Sequence, residues 1–309
     1  MAERALSVIV FPGGFNLPLW AGLGQGFFAR RGLAPKLHFT TSSMEQLAGL
    51  IRGDWEIGLT GFDNVVAYQE GQGEAAIDRQ PDLFAFMGGD DAFLRLVVQK
   101  DIGSYADLRG KTLSVDALTT GFAFVLRKML AANGVPESAV NFERAGGVMQ
   151  RWEALKAGKH AGTLLITPFE LIAQKLGLRL LQSARDVFPR YQGLVGTARR
   201  SWAAANADSL QGFIAAYCDS LGWLYDKRNR AAAGAILVEK VPNMTAELAA
   251  ATCDILLAEL GGFDKKARFD EPGMRAVLAL RSEFGRPQKT LTDPMKYADL
   301  SYYERAIKS

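Results

Sequence analysis

The residues best suited to chemistry are hydroxyl, amide and carboxylate side chains in short loops that follow strand-like runs. The stretch "TTGF", residues 119–122, stands between "KTLSVDAL" and an amphipathic helical segment. A threonine oxygen can cap such a helix by accepting from backbone N–H groups that lack a partner within the helix. The same N–H groups can instead receive a polar ligand, since a helix N-terminus carries partial positive charge. We expect Thr119 and Thr120 to divide these two roles, while Gly121 leaves the backbone open to close approach.

Polar side chains follow other strand-like runs in the same way. Asn16, in "PGGFN", either caps the next helix or points its amide at a ligand. Ser42 and Ser43 begin a helix that has Glu45 in its first turn, which favours a capping arrangement. Asp63 either offsets a helix dipole or accepts a hydrogen bond from a ligand. These loops therefore supply hydrogen-bonding groups with both a structural and a binding interpretation.

Three phenylalanines lie in the same loops. Phe15, Phe62 and Phe122 each follow a strand-like run, where one face of the ring meets water unless something covers it. Each alone is equally a core residue. Together they indicate an aromatic-walled slot for a flat or apolar ligand.

No arrangement typical of a catalytic or metal site is present in the sequence. There is no phosphate-cradling G-x-x-x-x-G-K motif and no nucleophile elbow. Cys218 and Cys253 fall in separate helical patterns, and His38 and His160 are isolated from each other. We therefore predict a protein without catalytic residues, without a metal and without a cofactor.

The composition is that of an ordinary globular protein. The chain has 309 residues, 49% of them hydrophobic and 22% charged, with a net charge of +3. No basic run interleaved with aromatic residues occurs, so nucleic acid is not an expected partner. The start, "MAERALSVIVF", enters a strand-like run without the apolar core and cleavage site of a secretory signal. Either the protein is cytosolic, or its export signal is missing from this sequence.

The chain contains an internal echo. Residues 37–71 and 139–177 both alternate short β-rich runs with helical periods, which predicts parallel β-α-β units. Each helix feeds a short strand that ends in threonine, Thr60 or Thr167. The apolar positions of the two helices and the glycines that follow them correspond at one constant offset: Met44, Leu47, Leu50 and Gly53 with Met149, Trp152, Leu155 and Gly158. The fold class is therefore α/β, with two similar Rossmann-like lobes.

The domain boundaries follow from the echo. We predict a first part of lobe 1 at 1–89, lobe 2 at 90–191, and a return to lobe 1 at 192–309. The crossing between the lobes is placed at 84–98, where paired glycines tolerate an altered backbone. Beyond residue 190 the pattern is almost wholly helical.

The ligand crevice of an open α/β sheet lies outside the carboxyl ends of its strands. Two lobes with facing loops then form a cleft that a hinge closes. The predicted ligand-binding residues share a place at or beside such strand ends: Phe15, Asn16, Ser42, Ser43, Phe62, Asp63, Asp90, Thr119, Thr120, Gly121, Phe122, Gly147 and Thr167.

Four segments in order carry a family resemblance: "LPLWAGLGQGFFARRGLAPKLHF", "MEQLAGLIRGDWEIGLTG", "DLRGKTLSV" before a Thr-Gly helix start, and "DPMKYADLSYYERA". They resemble the NMT1-like branch of solute-binding proteins of bacterial ABC importers, which take up sulfonates, taurine, nitrate and thiamine-precursor pyrimidines. The resemblance implies a type II periplasmic-binding fold with two crossovers and C-terminal helices packed mostly on lobe 1. It also implies a monomer outside the inner membrane that delivers a small molecule to an ABC permease.

The ligand stays open at this point. Asp63, Asp90 and Asp91 put carboxylates near the expected cleft, which suits an amine, hydroxyl or ring-nitrogen donor better than nitrate or a bare sulfonate. An aromatic or pyrimidine-like compound and a sulfonate remain as alternatives. The rival function is an enzyme resembling the pyrimidine synthases of thiamine biosynthesis. Those enzymes carry a cysteine-rich motif and a catalytic histidine, which this chain does not match.

Overall fold

The computed structural model describes residues 3–308 and contains two five-stranded sheets. The strands of the first sheet are β1 (Arg4–Val10), β2 (Leu33–Phe39), β3 (Ile57–Gly61), β4 (Leu83–Met87) and β10 (Leu194–Arg199). Their spatial order is β2-β1-β3-β10-β4. β1 is parallel to β2 and β3, whereas β10 runs antiparallel to β3 and β4.

The second sheet repeats this plan. Its strands are β5 (Arg95–Val98), β6 (Thr112–Val115), β7 (Asn141–Arg144), β8 (Gly162–Leu165) and β9 (Arg179–Ser183). Their spatial order is β7-β6-β8-β5-β9, with β5 antiparallel to both of its neighbours. The two sheets therefore have the same topology, as the internal echo predicts.

Helices cover the sheets and continue to the C-terminal end of the described chain. In chain order they are α1 (Leu17–Gly24), α2 (Ser43–Arg52), α3 (Phe62–Gln69), α4 (Gly121–Ala132), α5 (Val148–Lys156), α6 (Phe169–Lys175), α7 (Arg200–Ala205), α8 (Ala207–Tyr225), α9 (Arg230–Lys240), α10 (Ala246–Leu256), α11 (Glu271–Phe284) and α12 (Ser301–Ala306). In the described residues, no helix has the length and apolar character that crossing a membrane requires.

The echoed segments have the predicted order of elements. Residues 37–71 contain the end of β2, then α2, β3 and α3, and residues 139–177 contain β7, α5, β8 and α6. The Ser42 hydroxyl caps α2 by accepting from the Glu45 N–H at 3.3 Å. Gly53 ends α2 in the left-handed conformation, with φ of 98°, as the presence of glycine at this position predicts. Local signals therefore define these four-element units.

The expectation of an almost wholly helical chain beyond residue 190 is wrong for β10. This strand lies between β3 and β4, and most of its residues are buried. A strand covered on both faces shows no alternation of polar and apolar residues, so its sequence lacks the usual strand pattern. Gly196 is required there because a Cβ at this position would lie 2.5 Å from the Phe86 ring.

Two crossings join the lobes, one between β4 and β5 and one between β9 and β10. The predicted boundaries at 89/90 and 191/192 fall within them. The left-handed residues of the first crossing are Ala92 and Phe93, with φ of 73° and 51°, rather than the glycines. Gly88 serves close packing instead, since a Cβ there would lie 2.1 Å from the Arg268 carbonyl oxygen. The backbone turns where an aspartate accepts from each left-handed residue, not where the glycines lie.

The C-terminal segment is fixed to lobe 1 by a buried carboxylate. Glu70, at the end of α3, accepts from Lys289 at 2.9 Å, from the Tyr297 hydroxyl at 2.8 Å, and from Lys296. Burial alone would raise the pKa of Glu70, but the hydrogen bonds from Lys296, Lys289 and Tyr297 outweigh it and lower the pKa to about 2. The closing segment that carries the family resemblance thus has a defined structural role.

Helix α11 contacts both lobes. It packs against α3 of lobe 1 and α4 of lobe 2. The ring of Phe284 in α11 stacks on Phe124 of α4 with centroids 5.5 Å apart. By contrast, α8 packs on α1, β2 and α12, which belong with lobe 1. The expectation of C-terminal helices mostly on lobe 1 therefore has an exception in α11.

Candidate ligand-binding cleft

A cleft lies between the lobes at the carboxyl ends of the central strands. Its empty volume is about 740 Å³, open solvent at its mouth included. The lining residues come from both lobes and the first crossing: Phe11, Phe15, Ser43, Leu59, Thr60, Gly61, Asp63, Asn64, Asp90, Ala92, Phe93, Asp116, Thr120, Gly121, Phe122, Gly147, Val148, Arg151, Ile166 and Leu194.

The predicted residues divide into two groups by position. Those that line the cleft are Phe15, Ser43, Asp63, Asp90, Thr120, Gly121, Phe122 and Gly147. Those that lie outside its lining are Asn16, Ser42, Phe62, Thr119 and Thr167.

Phenylalanine rings form much of the apolar wall. Phe15 and Phe122 line the cleft as the aromatic-slot hypothesis requires, and Phe11 and Phe93 join them. Phe62 does not, because it is fully buried in lobe 1 and meets Tyr297 edge-on, with ring centroids 6.4 Å apart. Phe11 directly follows β1, so its position after a strand is the signal that identifies it.

Asn16, Ser42 and Thr167 hold local structure. The Asn16 amide donates to the Phe11 carbonyl at 2.7 Å and to the Gly13 carbonyl at 3.2 Å, and it makes no side-chain cap on α1. Ser42 caps α2, and Thr167 donates to the buried Glu170 carboxyl group. The Ser42 and Thr167 hydroxyls and the Asn16 amide nitrogen are thus already engaged by the protein, whereas the buried Asn16 Oδ1 has no hydrogen-bond partner among the described residues.

Neither threonine of "TTGF" caps α4. Thr120 stands at the N-cap, but its hydroxyl donates to Asp116 Oδ1 at 2.6 Å. The Thr119 hydroxyl instead donates to Glu74 Oε2 at 3.3 Å, away from the cleft. The expected threonine cap is therefore wrong: each hydroxyl is turned toward a carboxylate, a strong acceptor for its proton, and neither threonine oxygen accepts from a backbone N–H of α4.

The capping group of α4 comes from the other lobe. The Gly121 N–H donates to Asp63 Oδ2 at 2.6 Å. A Cβ on residue 121 would lie 2.4 Å from Asp63 Cγ, so only glycine permits this contact. A carboxylate at a helix N-terminus is favourable because it meets the positive end of the helix dipole.

Arg281 of α11 holds the Asp63 carboxylate in place. Its Nε and Nη2 donate to the two oxygens of Asp63 at 2.6 and 2.7 Å, and Nη2 also donates to the Thr119 carbonyl at 2.6 Å. Both side chains are almost fully buried. Such bidentate pairs fix orientation as well as charge. Sequence reasoning missed Arg281, since it lies 218 positions from Asp63 within an ordinary helical pattern.

Asp90 ties the two crossings together. Its Oδ1 accepts from the Ala92 N–H at 2.8 Å and from the Leu194 N–H at 2.9 Å. Burial raises the pKa of Asp90 to about 7, the two backbone hydrogen bonds lower it in part, and Asp91 adds to the rise. A carboxyl group that titrates near neutral pH therefore borders the cleft at the hinge.

A second charged group lies on the lobe 2 side. Asp116, directly after β6, accepts from the Ser43 hydroxyl across the cleft at 3.4 Å. Arg151 Nη1 lies 4.0 Å from Asp116 Oδ1 and donates to the Gly146 carbonyl at 3.0 Å. Burial lowers the pKa of Arg151, and Asp116 opposes this. Sequence reasoning missed both residues; the position of Asp116 at a strand end could have identified it, whereas Arg151 carries no such signal.

Contacts between the lobes close the cleft on several sides. The Gly147 N–H donates to the Thr41 carbonyl at 2.9 Å, which joins the α5 and α2 loops. The Ser43–Asp116 and Asp63–Gly121 hydrogen bonds add two further bridges. The structure is therefore a closed arrangement of the lobes.

Two α/β lobes with matched topology, two crossings and an enclosed cleft define a periplasmic-binding-protein fold. The sequence model of the family described as NMT1/THI5 like matches residues 16–231. The chain belongs to this family. A search of curated proteins gives no match.

Solved structures share the fold at low sequence identity. The alkanesulfonate-binding protein SsuA of Xanthomonas axonopodis pv. citri, bound to MOPS, has a TM-score of 0.75 and 16% identity, covering 97% of this chain and 100% of that one. The nitrate-binding protein NrtA of Synechocystis PCC 6803 has a TM-score of 0.80 and 11% identity, covering 99% and 89%. The ligand-binding component of an ABC-type import system of Staphylococcus aureus, with zinc bound, has a TM-score of 0.79 and 13% identity, covering 99% and 100%.

Proposed function

We propose that this protein is the extracytoplasmic solute-binding component of an ABC importer. It binds one small organic molecule in the cleft between its lobes and delivers that molecule to a permease. The observation that carries the proposal is the enclosed cleft, whose walls are mostly apolar and whose few polar groups come from both lobes. Membership of the NMT1/THI5-like family and the fold shared with binding components of importers support it.

The chemistry of the cleft favours a flat organic body. Phe11, Phe15, Phe93 and Phe122 offer ring faces and edges for an aromatic or otherwise planar ligand. Hydrogen-bonding groups are also present, with Thr60 and Asn64 on lobe 1 among them. An aromatic or pyrimidine-like compound fits these walls better than nitrate, which has no apolar surface to bury.

The rival enzyme function needs a reactive group in the cleft. Cys218 and Cys253 do not line it, and burial raises their pKa values to about 12 and about 11. Their thiols are therefore protonated at neutral pH, which suppresses nucleophilic reactivity. His160 lies outside the cleft as well, with its Nε2 3.3 Å from Glu143. These observations favour binding over catalysis.

The test is native mass spectrometry of protein purified without denaturation. We expect one retained small molecule per chain. The matched control is Ser43→Trp, which places a large ring at a cleft-lining position in the first turn of α2. This variant is expected to fold and to lack the adduct. An adduct of equal amount on both proteins would place binding elsewhere and contradict the proposal.

A further inference from the structure

Asp63 acts toward α4 as a bound anion would. Its carboxylate comes from the opposite lobe, borders the cleft and accepts from the first N–H of the helix at 2.6 Å. The position in front of a helix N-terminus is where an anionic ligand is stabilised by backbone N–H groups and the helix dipole. In this protein, a side chain of the protein itself fills that position.

The cationic groups near the cleft are also engaged. The Nε and Nη2 of Arg281 donate to the Asp63 carboxylate, and Nη2 also donates to the Thr119 carbonyl. The Arg281 side chain is 1% exposed. Arg151 is the only cationic residue among those that line the cleft, all of which lie within residues 3–308. Its guanidinium donates to the Gly146 and Leu164 carbonyls and faces Asp116. An anionic ligand would therefore meet the carboxylates of Asp63 and Asp116, each already facing an arginine, and the Asp90 carboxyl group, whose pKa is about 7.

We infer that Asp63, held by Arg281, is a specificity-determining residue that serves as a built-in anion and makes the cleft select ligands without an anionic group. The inference rests on the proposed binding function and narrows its ligand to an uncharged or cationic compound. Gly121 is required for this arrangement, because a side chain at this position would displace the Asp63 carboxylate from the N-terminus of α4.

The test uses two flat probes of the same size, benzoate and benzamide, and the variant Asp63→Ala. Removing the carboxylate leaves the α4 N-terminus and the Arg281 guanidinium facing a space of carboxylate size. By isothermal titration we expect Asp63→Ala to bind benzoate about tenfold or more tightly than the parent, because a charge-assisted hydrogen bond becomes available. Benzamide affinity should change little. If Asp63→Ala gains no affinity for benzoate, the inference is overturned.

Asp90→Asn is the matched control, since it removes a cleft carboxylate without exposing the α4 N-terminus. Its gain in benzoate affinity should be clearly smaller than that of Asp63→Ala. Equal gains would show a general charge effect and would also overturn the inference.

Asp63→Ala leaves a buried arginine unpaired, so we expect this variant to be less stable than the parent. The second measurement is therefore thermal unfolding, which tests the same site through stability. Formate should raise the melting temperature of Asp63→Ala relative to chloride at equal ionic strength, and should leave the parent unchanged. Asp63→Ala/Arg281→Gln, which removes both charges, should respond to formate more weakly. No formate response in either variant would contradict the assignment. These readouts require no transported solute, so their failure is distinct from the absence of a native adduct.

Discussion

The buried carboxyl group of Asp90 should make the stability of this protein depend on pH. Its pKa is raised by burial from 3.8 to about 7. A tenfold change in proton affinity is worth about 1.4 kcal/mol, so this rise amounts to about 4 kcal/mol. The pKa of Asp90 is higher in the folded state than in the unfolded state, so protonation of Asp90 stabilises the folded state. This stabilisation is fully present below pH 4 and is lost as the pH rises through 7.

Asp90→Asn should remove this dependence. The amide oxygen keeps the two acceptor bonds to the Ala92 and Leu194 N–H groups while carrying no charge. Between pH 4 and pH 8, the difference in unfolding free energy should therefore shift toward the variant by about 4 kcal/mol. Urea denaturation of both proteins at four or five pH values measures this shift and cancels every other titrating group. A difference that does not vary with pH would refute the reasoning.

Three further predictions concern single contacts. Glu70→Gln should cost about 3 kcal/mol of unfolding free energy at pH 7 and much less at pH 2, because the stabilisation from the lowered pKa is fully present above pH 4.5 and is lost as the pH falls through about 2; denaturation at both pH values checks this. Gly121→Ala should push Asp63 away from α4 and increase the radius of gyration in solution scattering, and an unchanged radius would contradict the bridge. Thr120→Ala should weaken binding of the retained molecule by about 1–3 kcal/mol in a titration, whereas Thr119→Ala should leave it unchanged because Thr119 lies outside the cleft.

Local patterns account for what the sequence revealed about the fold. The Ser42 cap, the Gly53 stop and the spacing of apolar residues in α2 and α5 are signals within one helix, so they are readable in order along the chain. The two echoed units then indicate two lobes and place a cleft at their strand ends. β10 was not predicted, because burial on both faces removes the alternation of polar and apolar residues that identifies a strand.

The hydrogen-bond partners of the cleft residues could not be predicted from the sequence. The sequence identifies Asp63 as a candidate ligand-binding carboxylate, but the pairing of Asp63 with Arg281 joins α3 to α11 across most of the chain. Which hydroxyl of "TTGF" faces the cleft depends on where Glu74 and Asp116 lie in space. Such choices are decided by tertiary packing, and a single sequence carries no periodic signal for them.

The central claim is that this protein binds a small molecule without converting it. The most direct measurement is to release the retained molecule, titrate it into ligand-free refolded protein, and determine its mass again afterwards. We predict saturable binding of one molecule per chain and recovery of the same mass. Recovery of a new product, or titration without saturation, would contradict the claim.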